Sequence, residues 1–134
     1  MFFVGHMLVT RSILALVVLS GLLAAQQPSK ITGTYTSMYF NEEGGDLLGQ
    51  ELKIVLTRRG YQGALQFAEG GPGGLIIVDV HINGNKISFT IPETAPEAGR
   101  FSGTLTNGVI RGIFSFKEGG EEKVELRRGK SYWD

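Results

Sequence analysis

A hydrophobe, any residue, glycine, any residue and a second hydrophobe recur four times along the chain: Ile31-Thr32-Gly33-Thr34-Tyr35, Tyr61-Gln62-Gly63-Ala64-Leu65, Phe101-Ser102-Gly103-Thr104-Leu105 and Ile110-Arg111-Gly112-Ile113-Phe114. In each motif the glycine shares the period-two face of its two hydrophobes, so the face directed inward lacks one side chain in its middle. A missing side chain lets a strand bend and makes room for a bulky group from across a narrow interior. The pattern predicts short strands wrapped round a common core.

Eight strands are expected, over 31–40, 50–58, 61–68, 75–82, 86–91, 101–105, 109–116 and 122–128, separated by turn residues. Leu52, Ile54 and Leu56 share one face of the second. Tyr61, Gly63, Leu65 and Phe67 do so in the third, and Ile76, Val78, Val80 and Ile82 in the fourth. Asn83-Gly84 and Asn107-Gly108 mark tight hairpins, in which both central residues are expected at positive φ. No stretch carries a helix-length amphipathic stripe. The expected fold is all-β, an antiparallel up-and-down eight-stranded barrel, closed or half-open, with an open sandwich as the alternative.

The amino-terminal segment reads differently. An apolar run over 13–23 follows Arg11 and ends in Ala24-Ala25, ahead of Gln26-Gln27-Pro28. It is short for a membrane-spanning helix, which needs about 20 apolar residues, and reads as a secretory signal over 1–25, with an uncleaved anchor as the alternative. The remainder, 26–134, is then one exported domain in the bacterial periplasm or outside the cell, with no membrane span after signal removal.

Composition narrows the function classes. Thirteen basic side chains balance thirteen acidic ones, and no basic stripe marks a nucleic-acid surface. Absence of cysteine excludes disulfides, thiol catalysis and thiolate metal sites, so packing and sheet closure must hold the fold.

Gly33-Thr34-Tyr35, Leu52-Lys53-Ile54-Val55-Leu56, Gly63-Ala64-Leu65, Ile87-Ser88-Phe89-Thr90-Ile91, Phe101 to Leu105, Ile110 to Phe114 and Val124 to Arg128 together resemble a small bacterial exported module. This is the calycin-like (lipocalin-like) β-barrel found alone or ahead of a serine-hydrolase domain. The resemblance spans roughly 31–128 and implies the barrel fold without implying an activity. Members commonly have Trp where this chain has Tyr35 and Phe114.

Candidate chemistry is sparse. Asp79, His81 and cross-strand Ser88 could suggest a nucleophile, base and orienting acid, but they fall on the face opposite Val78 and Val80, where a flat wall offers no oxyanion pocket. Glu42, Glu43 and Asp46 lack a calcium-loop spacing, and His81, the one histidine beyond the expected signal, cannot build a zinc site without cysteine. No catalytic residue, metal or cofactor is expected. Tyr35, Phe67, Phe89, Phe101, Phe114 and Phe116 belong mostly to the inward phase and could line a lumen, either filling it or holding a small apolar ligand. Trp133 is placed either as a cap on an open barrel end or in a mobile tail. These readings favour a non-enzymatic interaction or accessory module whose partner is another exported protein, ahead of a carrier of a small hydrophobic molecule and, last, a hydrolase.

Overall fold

Among the described residues, alternating apolar and polar side chains set ten β-strands, every one paired antiparallel to its neighbours. The computed structural model describes residues 30–134, so the signal expected over 1–25 lies outside the described residues. The strands are β1 (Gly33–Thr36), β2 (Tyr39–Asn41), β3 (Asp46–Thr57), β4 (Gly60–Gly70), β5 (Ile76–Asp79), β6 (His81–Asn83), β7 (Lys86–Ile91), β8 (Gly99–Thr106), β9 (Val109–Phe116) and β10 (Glu121–Arg128). Their order in the sheet is β5-β4-β3-β1-β10-β9-β8-β7-β6, with β2 extending the pairing on β3. The two outermost strands, β5 and β6, are halves of one chain segment interrupted only at Val80. The sheet therefore curls until its edges meet in the same piece of chain, giving a nearly closed up-and-down barrel.

Eight chain segments carry the ten strands. Ser37-Met38 interrupts the first segment, yet β1 and β2 keep one register on β3: Gly33 opposes Ile54 and Tyr39 opposes Leu48. β3 starts at Asp46, earlier than the expected position 50, because β2 provides a hairpin partner there. Leu56 shares the phase of Ile54 but is exposed, since β3 outruns the β1 ladder, which begins at Gly33–Ile54.

The two Asn-Gly sites form different turns. Asn107 and Gly108 both adopt positive φ, at 52° and 74°, as a two-residue loop between Thr106 and Val109 requires. At the other site Asn83 pairs with Lys86, so the loop residues are Gly84 and Asn85, and only Gly84 has positive φ, at 62°. Glycine at the first central position matches a type II′ turn, which corrects the expectation of positive φ at both Asn83 and Gly84.

The interior is the inward phase of the strands. Tyr35, Leu52, Ile54, Leu65, Phe67, Val78, Val80, Ile87, Phe89, Ile91, Phe101, Ile110, Phe114 and Leu126 form one buried cluster. Gly112 shows why its motif needs glycine: a Cβ there would stand 2.5 Å from Cζ of Phe101 and 2.8 Å from Cα of Gly103, its partner across the ladder. A second, smaller cluster joins Met38, Leu47 and Ala68. Its members lie on the phase opposite Gln50, Leu65 and Phe67, and so belong to the outer wall.

Candidate functional site

Aromatic side chains pack against one another in the barrel interior. Tyr35, Phe67, Phe89, Phe101 and Phe114 are at most 3% exposed, and Phe116 is half-buried against the same cluster. Phe114 is the hub. Its ring centroid lies 5.1 Å from Phe67, 4.8 Å from Phe101 and 6.0 Å from Phe116. Phe89 stacks on Phe101 at 4.9 Å with planes 17° apart. Offset stacked and tilted pairs at these separations are the favourable arrangements for aromatic quadrupoles.

One end of the barrel is closed by the chain that enters it. Arg128, at the end of β10, reaches back to the segment ahead of β1: Nη1 donates to the carbonyl of Thr32 at 2.9 Å, and Nη2 donates to the carbonyl of Lys30. The same guanidinium lies over the Tyr35 ring, with Cζ 4.9 Å from its centroid. The Tyr35 hydroxyl donates to the Ile31 carbonyl at 2.7 Å. Burial pushes this phenol above its ordinary pKa, and the Arg128 charge opposes the shift.

The opposite end carries a polar group that the sequence reading passed over. Gln50 is buried on the inward phase of β3, and its Nε2 donates to Glu122 Oε1 at 2.9 Å. Ser37 Oγ donates to Gln50 Oε1 at 3.2 Å, and Ser37 in turn accepts from the Gln50 backbone N–H at 3.0 Å. Glu122 opposes Phe114 in the ladder and Gln50 opposes Phe67, so the three polar residues sit directly beside the aromatic cluster. The available signal was Glu122 sharing the alternating phase of Val124 and Leu126.

The Asp79, His81 and Ser88 group stands on the outer wall. His81 is exposed and opposes Ser88 across the β6–β7 ladder, while the Asp79 carboxylate accepts from Gln62 Nε2 at 3.0 Å. Val78 and Val80 between them are buried. Among the described residues no group of three or more His, Cys, Asp or Glu side chains is placed to hold a metal ion.

Trp133 caps neither end. Its Nε1 donates to Gln66 Oε1 at 2.8 Å, and Gln66 lies on the outward phase of β4. The preceding residues are anchored on the neighbouring strand, where Ser131 Oγ and the Tyr132 N–H both donate to the Glu51 carboxylate. Glu51 is only 7% exposed although it too faces outward, because this carboxy-terminal strap crosses over it. Hydrogen bonds to a carboxylate hold such a segment more firmly than neutral pairs would, which is also at odds with a mobile tail.

No protein-family model matches the chain, no curated protein matches it, and no solved structure matches it. Among the described residues no helix is long and apolar enough to cross a membrane. The assignment of a nearly closed, antiparallel barrel of general calycin type thus stands on strand order and core alone.

Proposed function

We propose that this chain is a non-enzymatic accessory module, exported by its leader, that works through its surface. The observation that carries this reading is the packed lumen: aromatic side chains at van der Waals spacing occupy the volume in which a calyx would hold cargo. A filled interior serves stability, and recognition then falls to the walls and rims. The exposed position of His81 on a flat outer face supports the absence of hydrolytic chemistry, since a tetrahedral intermediate there would have no sheltered set of donors.

A second reading, a carrier of a small apolar molecule, draws support from the Ser37, Gln50 and Glu122 group. A ligand with an apolar body and a polar head would find both environments at that end, provided the Phe116 and Phe67 rings moved aside. Native mass spectrometry of protein purified from its own source separates the two. The accessory reading expects the polypeptide mass alone or a complex with another protein. A stoichiometric small apolar molecule retained by the chain would replace it with the carrier reading.

A further inference from the structure

The two ends of the barrel carry opposite charge. Because successive strands run antiparallel, alternate loops fall at the same end. One rim is formed by the entry of the chain at Lys30, the turn at Arg58-Arg59 between β3 and β4, the turn at Gly84-Asn85 between β6 and β7, and the turn at Asn107-Gly108 between β8 and β9. Lys30, Arg58, Arg59, Lys86 and Arg128 stand on it, all of them exposed, and none of its loops contains an acidic side chain. The loops at the opposite rim hold Glu42, Glu43, Glu93, Glu97 and Glu118, with Lys117 the one cation among them.

Nothing within the chain cancels the basic rim. Lys30, Arg58, Arg59 and Lys86 take part in no ion pair among the described residues. Arg128 is held by neutral partners, the carbonyls of Lys30 and Thr32 and the Tyr35 hydroxyl, so its charge is fixed in place. Thr57 Oγ1 accepts from the Arg59 N–H at 3.0 Å and donates to the Gly60 carbonyl at 2.9 Å, which holds the turn that carries the two arginines. Just before that turn Leu56 is 65% exposed, because β3 runs past the start of β1, so an apolar side chain stands two residues from Arg58. The chain also arrives at this rim from the apolar run over 13–23.

We propose that this rim docks end-on against a bilayer surface rich in anionic lipid, with its lysine and arginine side chains at the headgroups and Leu56 at the boundary with the acyl chains. This docking rests on the accessory-module reading and names what the working surface meets. Cations on separate loops round one end of a barrel can meet a plane together, whereas a nucleic-acid rod or an extended peptide would reach only a few of them. Each Lys or Arg near an anionic bilayer adds to the attraction, which fades within a Debye length. An exposed leucine beside cations matches the chemistry of the bilayer interface. The acidic rim is repelled by the same surface, which sets the orientation.

The test is sedimentation of the exported protein with vesicles of phosphatidylglycerol and phosphatidylcholine in equal parts, and with vesicles of phosphatidylcholine alone. Binding to the anionic vesicles is expected to be at least about tenfold tighter, and to weaken by about tenfold or more when salt is raised to about 0.5 M. Arg58→Glu with Arg59→Glu should weaken it by about tenfold or more, whereas Glu42→Lys with Glu43→Lys at the other rim should not weaken it. Both pairs lie on exposed turns, and Lys30→Glu with Lys86→Glu supplies the same reading if the arginine pair does not fold. In ¹⁵N spectra, broadening by the vesicles should centre on 56–60, 84–86 and 107–108. Equal binding to the two vesicle types, full binding by the arginine pair, or broadening centred on 42–45 or 92–98 would each overturn the proposal. So would equally tight binding to a short duplex DNA, or broadening of the basic rim that grows with protein concentration without vesicles, which would point to a second copy of the chain. The accessory-module reading fails separately, through a small molecule retained in native mass spectrometry.

Discussion

Arg128 both covers the aromatic face of Tyr35 and donates to its hydroxyl, at 2.6 Å from Nη2, so one cation ties the last strand to the first and to the chain that enters the barrel. Gly33 is part of this arrangement. It has a φ of 142°, and a Cβ on it would lie 2.8 Å from Arg128 Nη1. The glycine two residues before the tyrosine is therefore the space in which the guanidinium rests.

Replacing that cation should open the closed end first. Arg128→Met keeps a long apolar stem but removes the donors to Lys30 and Thr32, and should cost about 1–2 kcal/mol in urea unfolding. Arg128→Lys should recover only part of the loss, because an ammonium cannot span the two carbonyls and the ring as a planar fork does. Equal stability of Arg128→Lys and the parent would argue against the geometry.

Tyr35 should give stability a dependence on alkaline pH. Its folded-state pKa lies above the ordinary 10.0, so the folded chain holds the phenolic proton more tightly than the unfolded chain does. The contribution is complete below the unfolded pKa and is lost as pH rises from there through the folded value. Urea midpoints measured from pH 9 to pH 11 should fall more steeply for the parent than for Tyr35→Phe. Parallel slopes would show that the phenol titrates alike in both states.

Two glycines of the same motif should respond differently to alanine. At Gly63 the nearest atom to an added Cβ is Leu52 Cδ1, at 2.7 Å, which is the far end of a flexible side chain. At Gly112 the close atoms include the Ser102 carbonyl oxygen at 2.5 Å, which is backbone. Gly63→Ala should be rescued substantially by Leu52→Val, whereas Gly112→Ala should lose about 1–3 kcal/mol with no rescue by Phe101→Leu. Thermal denaturation of the two double-mutant cycles reads the difference.

The strap should detach without unfolding the barrel. Glu51→Ala removes the acceptor shared by Ser131 and Tyr132, and Trp133, the single tryptophan of the chain, reports the result. Its emission should shift to the red and its quenching by acrylamide increase, while the unfolding midpoint changes by no more than the equivalent of about 1 kcal/mol. An unchanged tryptophan signal would contradict the placement of the strap.

The fold was legible where the determining pattern is local. Ile76, Val78 and Val80 alternate with Ile77, Asp79 and His81 over adjacent residues, and that alternation alone puts His81 on the outside. Asn107-Gly108 carries its turn type in two residues. Features that depend on distant strands were not legible in the same way. The burial of Glu51 needs residues 131 and 132 to return across β3, and nothing near Glu51 announces that. Gln50 finds Glu122 from 72 positions away. Tyr35, Phe67, Phe89, Phe101 and Phe114 are buried and Phe116 is half-buried, but whether six aromatic side chains fill a barrel or line it depends on its diameter, which only closure determines.

The most direct test of the packed lumen is a fluorescence titration of the folded chain with 1-anilinonaphthalene-8-sulfonate, followed by ¹³C methyl and aromatic shifts. The expected result is no saturable binding and unmoved resonances for Phe89, Phe101 and Phe114. Saturable binding of one probe per chain, with those three rings shifted together, would show an accessible cavity and contradict the claim.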